Sequence, residues 1–491
     1  MAELIELVMA STAMSNSSND KIERLTSSLR DPAGFLFEHN ENIYRAVNHN
    51  YKKNFDLLLS SGLYARLVSQ GILLEHQEIP ANSLAPLLPS DVYKILQIKR
   101  LPFISYPFEW CFSQLKNAAL LTLELQMIAL EFGMTIKDAS AFNVQYMAEK
   151  PIFIDTLSFE EHIKGNPWIA YEQFCRHFLA PLALMSYRDD RMLQLLRTYM
   201  DGLPLDLVAD LLPIGGWLNF SLFCHLVVHA KAQRSFKDTV EIKPPNIKSN
   251  QLKALLENLH GLVKGLRVKQ RNSVWGDYYV NACTYTNAAM DSKYRIVEAF
   301  LKRAKPSMVW DLGSNDGKFS RIASAQNIFT VAMDGDHNST EHNYLSCQKE
   351  GNNYLLPLLI DLTNPSPAQG WANCETKSLV QRGPADMMMA LAILHHLVIT
   401  HSLSLASIAR SFASLCNWLI IEFVPETDFQ LKRLLQFNPD LVFNERYSES
   451  IFEVEFEKFF VLLEKVKIEE SDRILYLAKT KSTTSTQRNL K

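Results

Sequence analysis

The sequence predicts an α/β fold in which a doubly wound parallel sheet follows an α+β region. Two observations lead to this prediction. Five short apolar runs recur between residues 308 and 421, and four of them end in a polar residue. The first run leads into a turn with two glycines and then into a segment that can be helical. With 491 residues, the chain is long enough for two or three domains.

The turn after the first run is residues 311–317, with the sequence DLGSNDG. Its glycines let the backbone approach a ligand closely, and free N–H groups at a helix start offer hydrogen bonds. An ordinary connection from a strand to a helix can have the same pattern. The turn alone therefore leaves open whether it binds a ligand or only joins two elements.

The ends of the later runs favour a binding site. The second run ends at Asp334, 21 residues after Gly313, where a doubly wound sheet places the carboxylate that accepts the ribose hydroxyls. Ligands bind open α/β sheets at the carboxyl ends of their strands, so these ends should form one site. The other three runs, 354–360, 386–391 and 415–421, lead into Asp361, into His395 with His396, and into Glu422.

Together these motifs resemble those of class I S-adenosylmethionine-dependent methyltransferases, over about residues 300–480. The resemblance implies a Rossmann-like fold and S-adenosylmethionine as the cofactor. Where the family commonly has a glycine, this chain has Asn315, which tolerates a positive φ better than other non-glycine residues. The implied cofactor-binding residues are Asp311, Gly313, Asn315 and Gly317 for the methionine part, Asp334 for the ribose and Asp361 for the adenine amino group.

An NAD-dependent oxidoreductase is the alternative for this region. Such an enzyme needs the phosphate-binding pattern G-x-G-x-x-G, whereas the spacing here is G-x-x-x-G. A sulfonium cofactor has no phosphate to bind. The spacing therefore favours a methyltransferase.

The catalytic candidates are His395 and His396, which follow the fourth run, where the methyl group should point. Methyl transfer from a sulfonium is an in-line displacement that needs a positioned nucleophile and, for a hydroxyl or amine, a proton acceptor. An imidazole with a pKa near neutrality suits that role. A structural role for both histidines is the other interpretation, and Glu422 is a second candidate for substrate contact.

The region 29–235 contains Asp138, Asn143 and Asp155, whose spacing is that of a kinase catalytic loop and its metal-binding aspartate. The order of elements also resembles protein and aminoglycoside kinases, in which the first Asp orients a hydroxyl and the other two residues hold magnesium. The chain departs from that family because it has Ile136 in place of a histidine, no glycine-rich loop, and at best Arg45 for the strand lysine.

Three interpretations of this region stay open: polar residues that only fasten a loop, an inactive kinase-like module, and a working kinase that makes the chain bifunctional. We favour a non-catalytic module that recognises the substrate, and expect its removal to leave cofactor affinity nearly unchanged. Through residues 137–143, 153–159 and the histidine pair, the chain is similar to a bacterial group of methyltransferases related to a nodulation protein.

Residues 236–250 are polar, contain a double proline and are the predicted linker. This linker should separate two apolar cores, so we expect residues 251–481 to fold without the amino-terminal part. The helices and aromatic residues before the sheet should either cover the cofactor cleft or pack onto the sheet. The predicted boundaries are 1–28 for a flexible start, 29–235 for the kinase-like domain, 236–250 for the linker, 251–305 for a helical lid, 306–481 for the methyltransferase domain and 482–491 for a disordered tail.

Composition limits the partners. A net charge of −3 gives no electrostatic case for nucleic acid, and seven cysteines without a C-x-x-C pair suggest neither zinc nor disulfides. A reducing, cytoplasmic location fits this composition, and no signal peptide is expected. Residues 211–230 carry no charged side chain, but a proline and two glycines favour a turn and a buried helix over a membrane span. The methyl acceptor is expected to be a small molecule, a glycan or a protein, and the oligomeric state is left open.

Overall fold

The computed structural model describes residues 22–80, 84, 88–228, 246–268, 285–436 and 447–481. We call residues 22–268 the amino-terminal region and residues 285–481 the sheet region. The predicted tail at 482–491, the aromatic loop before residue 285 and most of the predicted linker lie outside the described residues. Within the described ranges, no helix combines the length and the apolar character needed to cross a membrane.

The amino-terminal region begins with an antiparallel sheet of five strands in the order β1-β2-β3-β5-β4. Strand β1 already pairs with β2, so the flexible start predicted through residue 28 is too long, because residues 23 and 24 bond to the sheet. The strands of this region are β1 (Glu23–Arg24), β2 (Gly34–His39), β3 (Asn42–Asn48), β4 (His76–Ile79), β5 (Val92–Ile98), β6 (Met134–Ile136), β7 (Val144–Met147), β8 (Lys150–Phe153) and β9 (Phe159–Glu161).

The helices of the amino-terminal region lie between the strands of this sheet and after them in the chain. The longest is α3, which is buried on most of its surface because neighbours cover it from several sides. The helices are α1 (Lys52–Ser60), α2 (Leu63–Ser69), α3 (Phe112–Glu131), α4 (Tyr171–Phe174), α5 (Ala180–Tyr187), α6 (Leu195–Thr198), α7 (Leu205–Leu211), α8 (Ile214–Trp217), α9 (Phe220–Leu222) and α10 (Ser249–Gly265). Short 3-10 helices cover Pro107–Glu109, Ala141–Asn143, Thr156–Ser158 and Asp190–Gln194.

The sheet region contains seven strands in the order β12-β11-β10-β13-β14-β16-β15. The first five are parallel, while β16 runs antiparallel between β14 and β15. The strand order reverses between β10 and β13, which confirms the predicted doubly wound sheet. The strands are β10 (Met308–Leu312), β11 (Phe329–Asp334), β12 (Leu355–Leu359), β13 (Ala385–Ala390), β14 (Cys416–Phe423), β15 (Phe460–Lys467) and β16 (Ile474–Thr480).

Helices cover both faces of this sheet. Helix α11 packs its apolar side on the strands, and a lysine in it, Lys293, is buried as well. The helices are α11 (Asn287–Ala304), α12 (Ser320–Ser324), α13 (His337–Glu350), α14 (Leu379–Arg382), α15 (Leu394–Ile399), α16 (Leu405–Leu415), α17 (Phe429–Gln436) and α18 (Glu449–Glu457).

The two regions share one apolar core. Buried residues of α3 and of the sheet belong to the same cluster, and Gln114 on α3 donates to the Pro357 carbonyl at 3.0 Å. Helix α10, expected in a lid, packs against α3 because its apolar side joins that core. The expectations of separate cores and of a lid formed by α10 are therefore wrong.

Candidate active site at the carboxyl edge of the sheet

The turn after β10 is held to the end of β11 by its backbone. The N–H groups of Gly313 and Ser314 donate to the Met333 carbonyl at 2.8 and 3.0 Å. The φ angles of Gly313, Asn315 and Gly317 are +67°, +50° and +76°, so asparagine adopts here the conformation that favours glycine. The substitution of asparagine for the usual glycine is therefore compatible with the turn.

The two glycines allow close packing of protein against protein. A Cβ atom on Gly317 would overlap the Asn343 side chain of α13, and one on Gly313 would lie 2.8 Å from Ile393 Cδ1. Their small size thus fits helix α13 and the segment after β13 onto the turn. The sequence alone had indicated a different reason for these glycines, the close approach of a ligand to the backbone.

Asp334 ends β11 beside this turn. Its Oδ2 accepts the Asn315 N–H at 2.8 Å, and its Oδ1 accepts the Asp336 N–H at 2.8 Å. Burial raises the pKa of Asp334 to about 6, and the two N–H bonds oppose that rise. The carboxylate is thus ionised at neutral pH, and each oxygen can accept one more hydrogen bond. A ribose diol is a chemical match for these two acceptors.

Asp311 and Asp361 stand at the ends of the flanking strands, but their surroundings differ. Asp311 is buried and accepts a bond from the Ser320 hydroxyl at 2.5 Å, and burial raises its pKa to about 7. Asp361 is exposed, and its Oδ1 accepts the N–H and the hydroxyl of Thr363 at 2.8 and 2.7 Å. Asp311 therefore fastens the turn to α12, while Asp361 has an oxygen available to a ligand.

The predicted histidines lie at the start of α15, with ring centroids 4.2 Å apart. His395 is buried, and its Nδ1 has no hydrogen-bond partner in the part of the chain that the structure describes. Burial, with help from the neighbouring imidazole, lowers the pKa of His395 well below its usual value, and burial lowers that of His396 to about 4. Both rings are therefore neutral at pH 7, and the role of His395 as a base stays a prediction.

Glu422 ends β14 inside a buried cluster of charges. Lys293 Nζ lies 2.6 Å from one of its oxygens, Arg473 Nη1 lies 3.3 Å from the other, and the Tyr285 hydroxyl donates to it. Asp428 bonds Arg473 at 2.8 Å. Burial alone would raise the pKa of Glu422, but Lys293 and Arg473 keep it below its usual value.

This charge cluster corrects the expectation that Glu422 contacts the substrate, because its side chain is fully covered by its own partners. Lys293 and Arg473 were missed by sequence analysis. For Lys293, the sequence offered one indication, a lysine on the apolar side of the predicted helix before the sheet. For Arg473, the only indication was its position directly before an apolar strand.

The kinase-like residues of the amino-terminal region also come together. Asn143 and Asp155 both bond the Ser158 hydroxyl, at 3.2 and 2.5 Å. Arg45 bonds Asp155 Oδ1 at 3.0 Å and also bonds Asp31. Asp138 accepts the Ser140 N–H and the Gln173 amide. Among the described residues, no group of three or more His, Cys, Asp or Glu side chains is arranged to hold a metal ion.

Comparison with solved structures finds methyltransferases at low scores. The magnesium protoporphyrin IX methyltransferase ChlM of Synechocystis PCC 6803 is 16% identical with a TM-score of 0.29, over 44% of this chain and 90% of that one. The N-methyltransferase NodS of Bradyrhizobium japonicum WM9 is 12% identical with a TM-score of 0.27, over 40% and 97%. The bifunctional kinase-methyltransferase WbdD is 16% identical with a TM-score of 0.28, over 45% of each. Such scores carry no weight here, and the fold assignment rests on the strand order.

Comparison of sequences gives a stronger result. No model of a known protein family matches the chain. The nodulation protein NoeA of Rhizobium meliloti (strain 1021) is 32% identical over 460 residues, which cover 92% of this chain and 95% of that protein. The strand order gives the sheet region a Rossmann-like, doubly wound fold, and the chain belongs to the family of nodulation protein NoeA.

Proposed function

We propose that the chain is an S-adenosylmethionine-dependent methyltransferase. The observation that carries the proposal is the Asp334 carboxylate at the carboxyl end of β11, next to β10, which borders the switch point. Two backbone N–H groups hold it, and among the described residues no cation pairs with it. A carboxylate in this state suits the two hydroxyls of a ribose. When bound, S-adenosylmethionine supplies a methyl group that is activated by a sulfonium.

The roles of the other residues follow from their surroundings. The turn at 311–317 would lie along the methionine part of the cofactor, and Oδ2 of Asp361 would accept the adenine amino group. Gly335 lies between the carboxylates of Asp334 and Asp361. A Cβ atom added to Gly335 would lie 3.7 Å from the Asp361 Cα atom. The two strand ends are thus close enough for one nucleoside to reach both.

The acceptor side is assigned to His395. Its neutral imidazole has an Nδ1 without a partner among the described residues, so that atom can accept a hydrogen bond from an acceptor hydroxyl or amine. The charge cluster around Glu422 holds the neighbouring strand end in place. The acceptor is a small molecule, a glycan or a protein, and we expect no nucleic acid and a cytoplasmic location.

A second assignment concerns the amino-terminal region, for which we propose recognition of the acceptor without phosphate transfer. The observation in its favour is that Arg45 bonds Oδ1 of Asp155 and the Ser158 hydroxyl bonds Oδ2, so that both oxygens of the carboxylate expected to hold magnesium already have partners within the chain. Magnesium-dependent binding of ATP that is lost in Asp155→Ala would instead make the chain bifunctional.

Ligand titration tests the cofactor assignment. A ligand that binds only the native state raises the melting temperature, so S-adenosylhomocysteine should raise it for the wild type but not for Asp334→Ala. Asp291→Ala removes an exposed carboxylate of α11 and serves as the matched control, which should respond as the wild type does. A shift with NADH and none with S-adenosylhomocysteine would favour the oxidoreductase.

A further inference from the structure

The loop between β12 and α14, residues 360–378, is long and carries Asp361 near its start. Its regular structure is limited to the 3-10 helix Trp371–Asn373 and one bridge between Gln369 and Thr376. Loops of this length without their own secondary structure are usually functional or mobile. The position of Asp361 therefore depends on what holds the loop.

One arginine of the amino-terminal region holds the first half of this loop. Arg197, in α6, donates to the Asn364 carbonyl at 3.2 Å, to the Asn364 side chain at 3.3 Å and to the Pro365 carbonyl at 3.0 Å. In return, the Gln369 amide donates to the Arg197 carbonyl at 2.5 Å. A planar guanidinium, whose N–H donors have a fixed arrangement, suits such a set of fixed acceptors.

Buried groups near the start of α3 also hold the loop, at Ser366 and at its far end. Glu109 accepts the Ser366 hydroxyl and pairs with Arg382, whose Nη1 lies 2.8 Å from Glu109 Oε2. The Tyr106 hydroxyl accepts the Lys377 N–H at 2.6 Å. The Glu109 and Arg382 side chains are 1% and 4% exposed, so this attachment is part of the core.

The same region also reaches the end of β11. His337, three residues after Asp334, is partly buried. Burial lowers its pKa, while the nearby carboxylates of Asp190, Asp336 and Asp189 oppose that change. Asp189 and Asp190 belong to the segment that leads into α6. The amino-terminal region therefore lies beside both strand ends that would hold the nucleoside.

We propose that Arg197 is a positioning residue for the cofactor, because it holds the loop that carries Asp361. The amino-terminal region is then a structural part of the cofactor site and sets the affinity for the cofactor. This inference rests on the proposed function, and it replaces the expectation that removal of this region leaves cofactor affinity unchanged. By linkage, a ligand whose binding to this region moves the loop also changes cofactor affinity.

The test uses the full-length chain with Arg197→Ala, and Arg188→Ala as the matched control. Arg188 donates to the Leu211 carbonyl within the amino-terminal region, away from the loop. Calorimetry with S-adenosylhomocysteine should show affinity about tenfold weaker for Arg197→Ala and unchanged for Arg188→Ala. Hydrogen exchange of residues 360–378 should become faster in Arg197→Ala only. Gln369→Ala, which removes the bond donated to the Arg197 carbonyl, is the second variant if Arg197→Ala does not fold, and it should show the same changes more weakly.

Three outcomes are distinguishable. Weaker binding with faster loop exchange supports the inference. Wild-type affinity in both variants overturns it and leaves the proposed function intact. A wild type that binds no S-adenosylhomocysteine removes the proposed function, and the inference falls with it.

Discussion

The protein contains two sites built around carboxylates, and they differ in what satisfies the negative charge. In the amino-terminal region, Asp31 and Asp155 both bond the guanidinium of Arg45. In the sheet region, the hydrogen bonds that Asp334 accepts from the described residues come from two backbone N–H groups, those of Asn315 and Asp336. The first site is closed by the chain's own cation, whereas the second keeps acceptors for a ligand.

This difference shows what motif spacing alone leaves out. The spacing of Asp138, Asn143 and Asp155 matches that of a kinase, and the structure adds that Arg45, on another strand, bonds Asp155. At the sheet edge, the same kind of spacing leads to Asp334, which pairs with no side-chain cation in the part of the chain that the structure describes. What distinguishes the two sites is whether a side-chain cation pairs with the carboxylate. This is the basis for proposing cofactor binding in the sheet region and no phosphate transfer in the amino-terminal region.

The largest effect is expected from the pair that joins the two regions. Glu109→Ala leaves Arg382 charged and uncompensated in the core, which should lower the free energy of unfolding by about 3–5 kcal/mol. Because the core is shared, calorimetry should show one unfolding transition that moves as a whole. Glu38→Ala, which breaks an exposed pair with Arg100, should cost less than about 1 kcal/mol. Two unfolding transitions, of which Glu109→Ala shifts the temperature of only one, would mean that the two regions unfold independently.

A smaller effect is expected at the closed site. Arg45→Ala leaves Asp31 and Asp155 without their cation, and since both are partly exposed the cost should be about 2 kcal/mol. The freed carboxylates should then bind magnesium, so magnesium should raise the melting temperature of this variant and not of the wild type. Adding Asp155→Asn to Arg45→Ala should remove the response. Stabilisation of the wild type by magnesium would contradict the closed site.

At the open site, the pH should control affinity. The ionised form of Asp334 accepts hydroxyl bonds, so affinity for S-adenosylhomocysteine should fall about tenfold for each pH unit below its pKa of about 6 and be level above pH 7. The free energy of unfolding depends on pH in the opposite direction. Because the folded state keeps this proton to a higher pH than the unfolded state, the contribution of Asp334 to stability falls as pH rises from about 4 to about 6.

Calorimetry between pH 5 and pH 8 measures the pH dependence of affinity. Asp311 also titrates near neutrality, so Asp311→Asn is the control that separates the two carboxyl groups. In that variant the pH dependence below 6 should persist. An affinity that does not change with pH would mean that Asp334 does not receive the ribose.

The smallest effect is expected for Asn315→Gly. Relief of the positive φ should stabilise the turn by about 1 kcal/mol, while loss of the bond from the Asp316 N–H to the Asn315 side chain should cost about as much. Affinity for S-adenosylhomocysteine should stay within about twofold, because the Asn315 N–H still bonds Asp334. Asn315→Val, which cannot adopt this φ without strain, should lose affinity, and an unaffected valine variant would show that the turn does not orient the carboxylate.

The sequence by itself determined the doubly wound sheet and the positions of Asp334, Asp361 and the histidines. Apolar runs and the polar residues that end them are local properties of the chain, and the parallel arrangement then brings the strand ends to one edge. The turn was also predictable, because its glycines and Asn315 adopt a backbone conformation that few residues tolerate.

Only the tertiary structure decided which charges are satisfied. Lys293 and Glu422 are 129 positions apart, and Arg45 and Asp155 are 110 apart, so no local pattern links them. The shared core and the contacts of Arg197 with the loop also join distant parts of the chain. The physical reason is that burial and ion pairing depend on which surfaces meet after folding, whereas strands and turns depend on neighbouring residues.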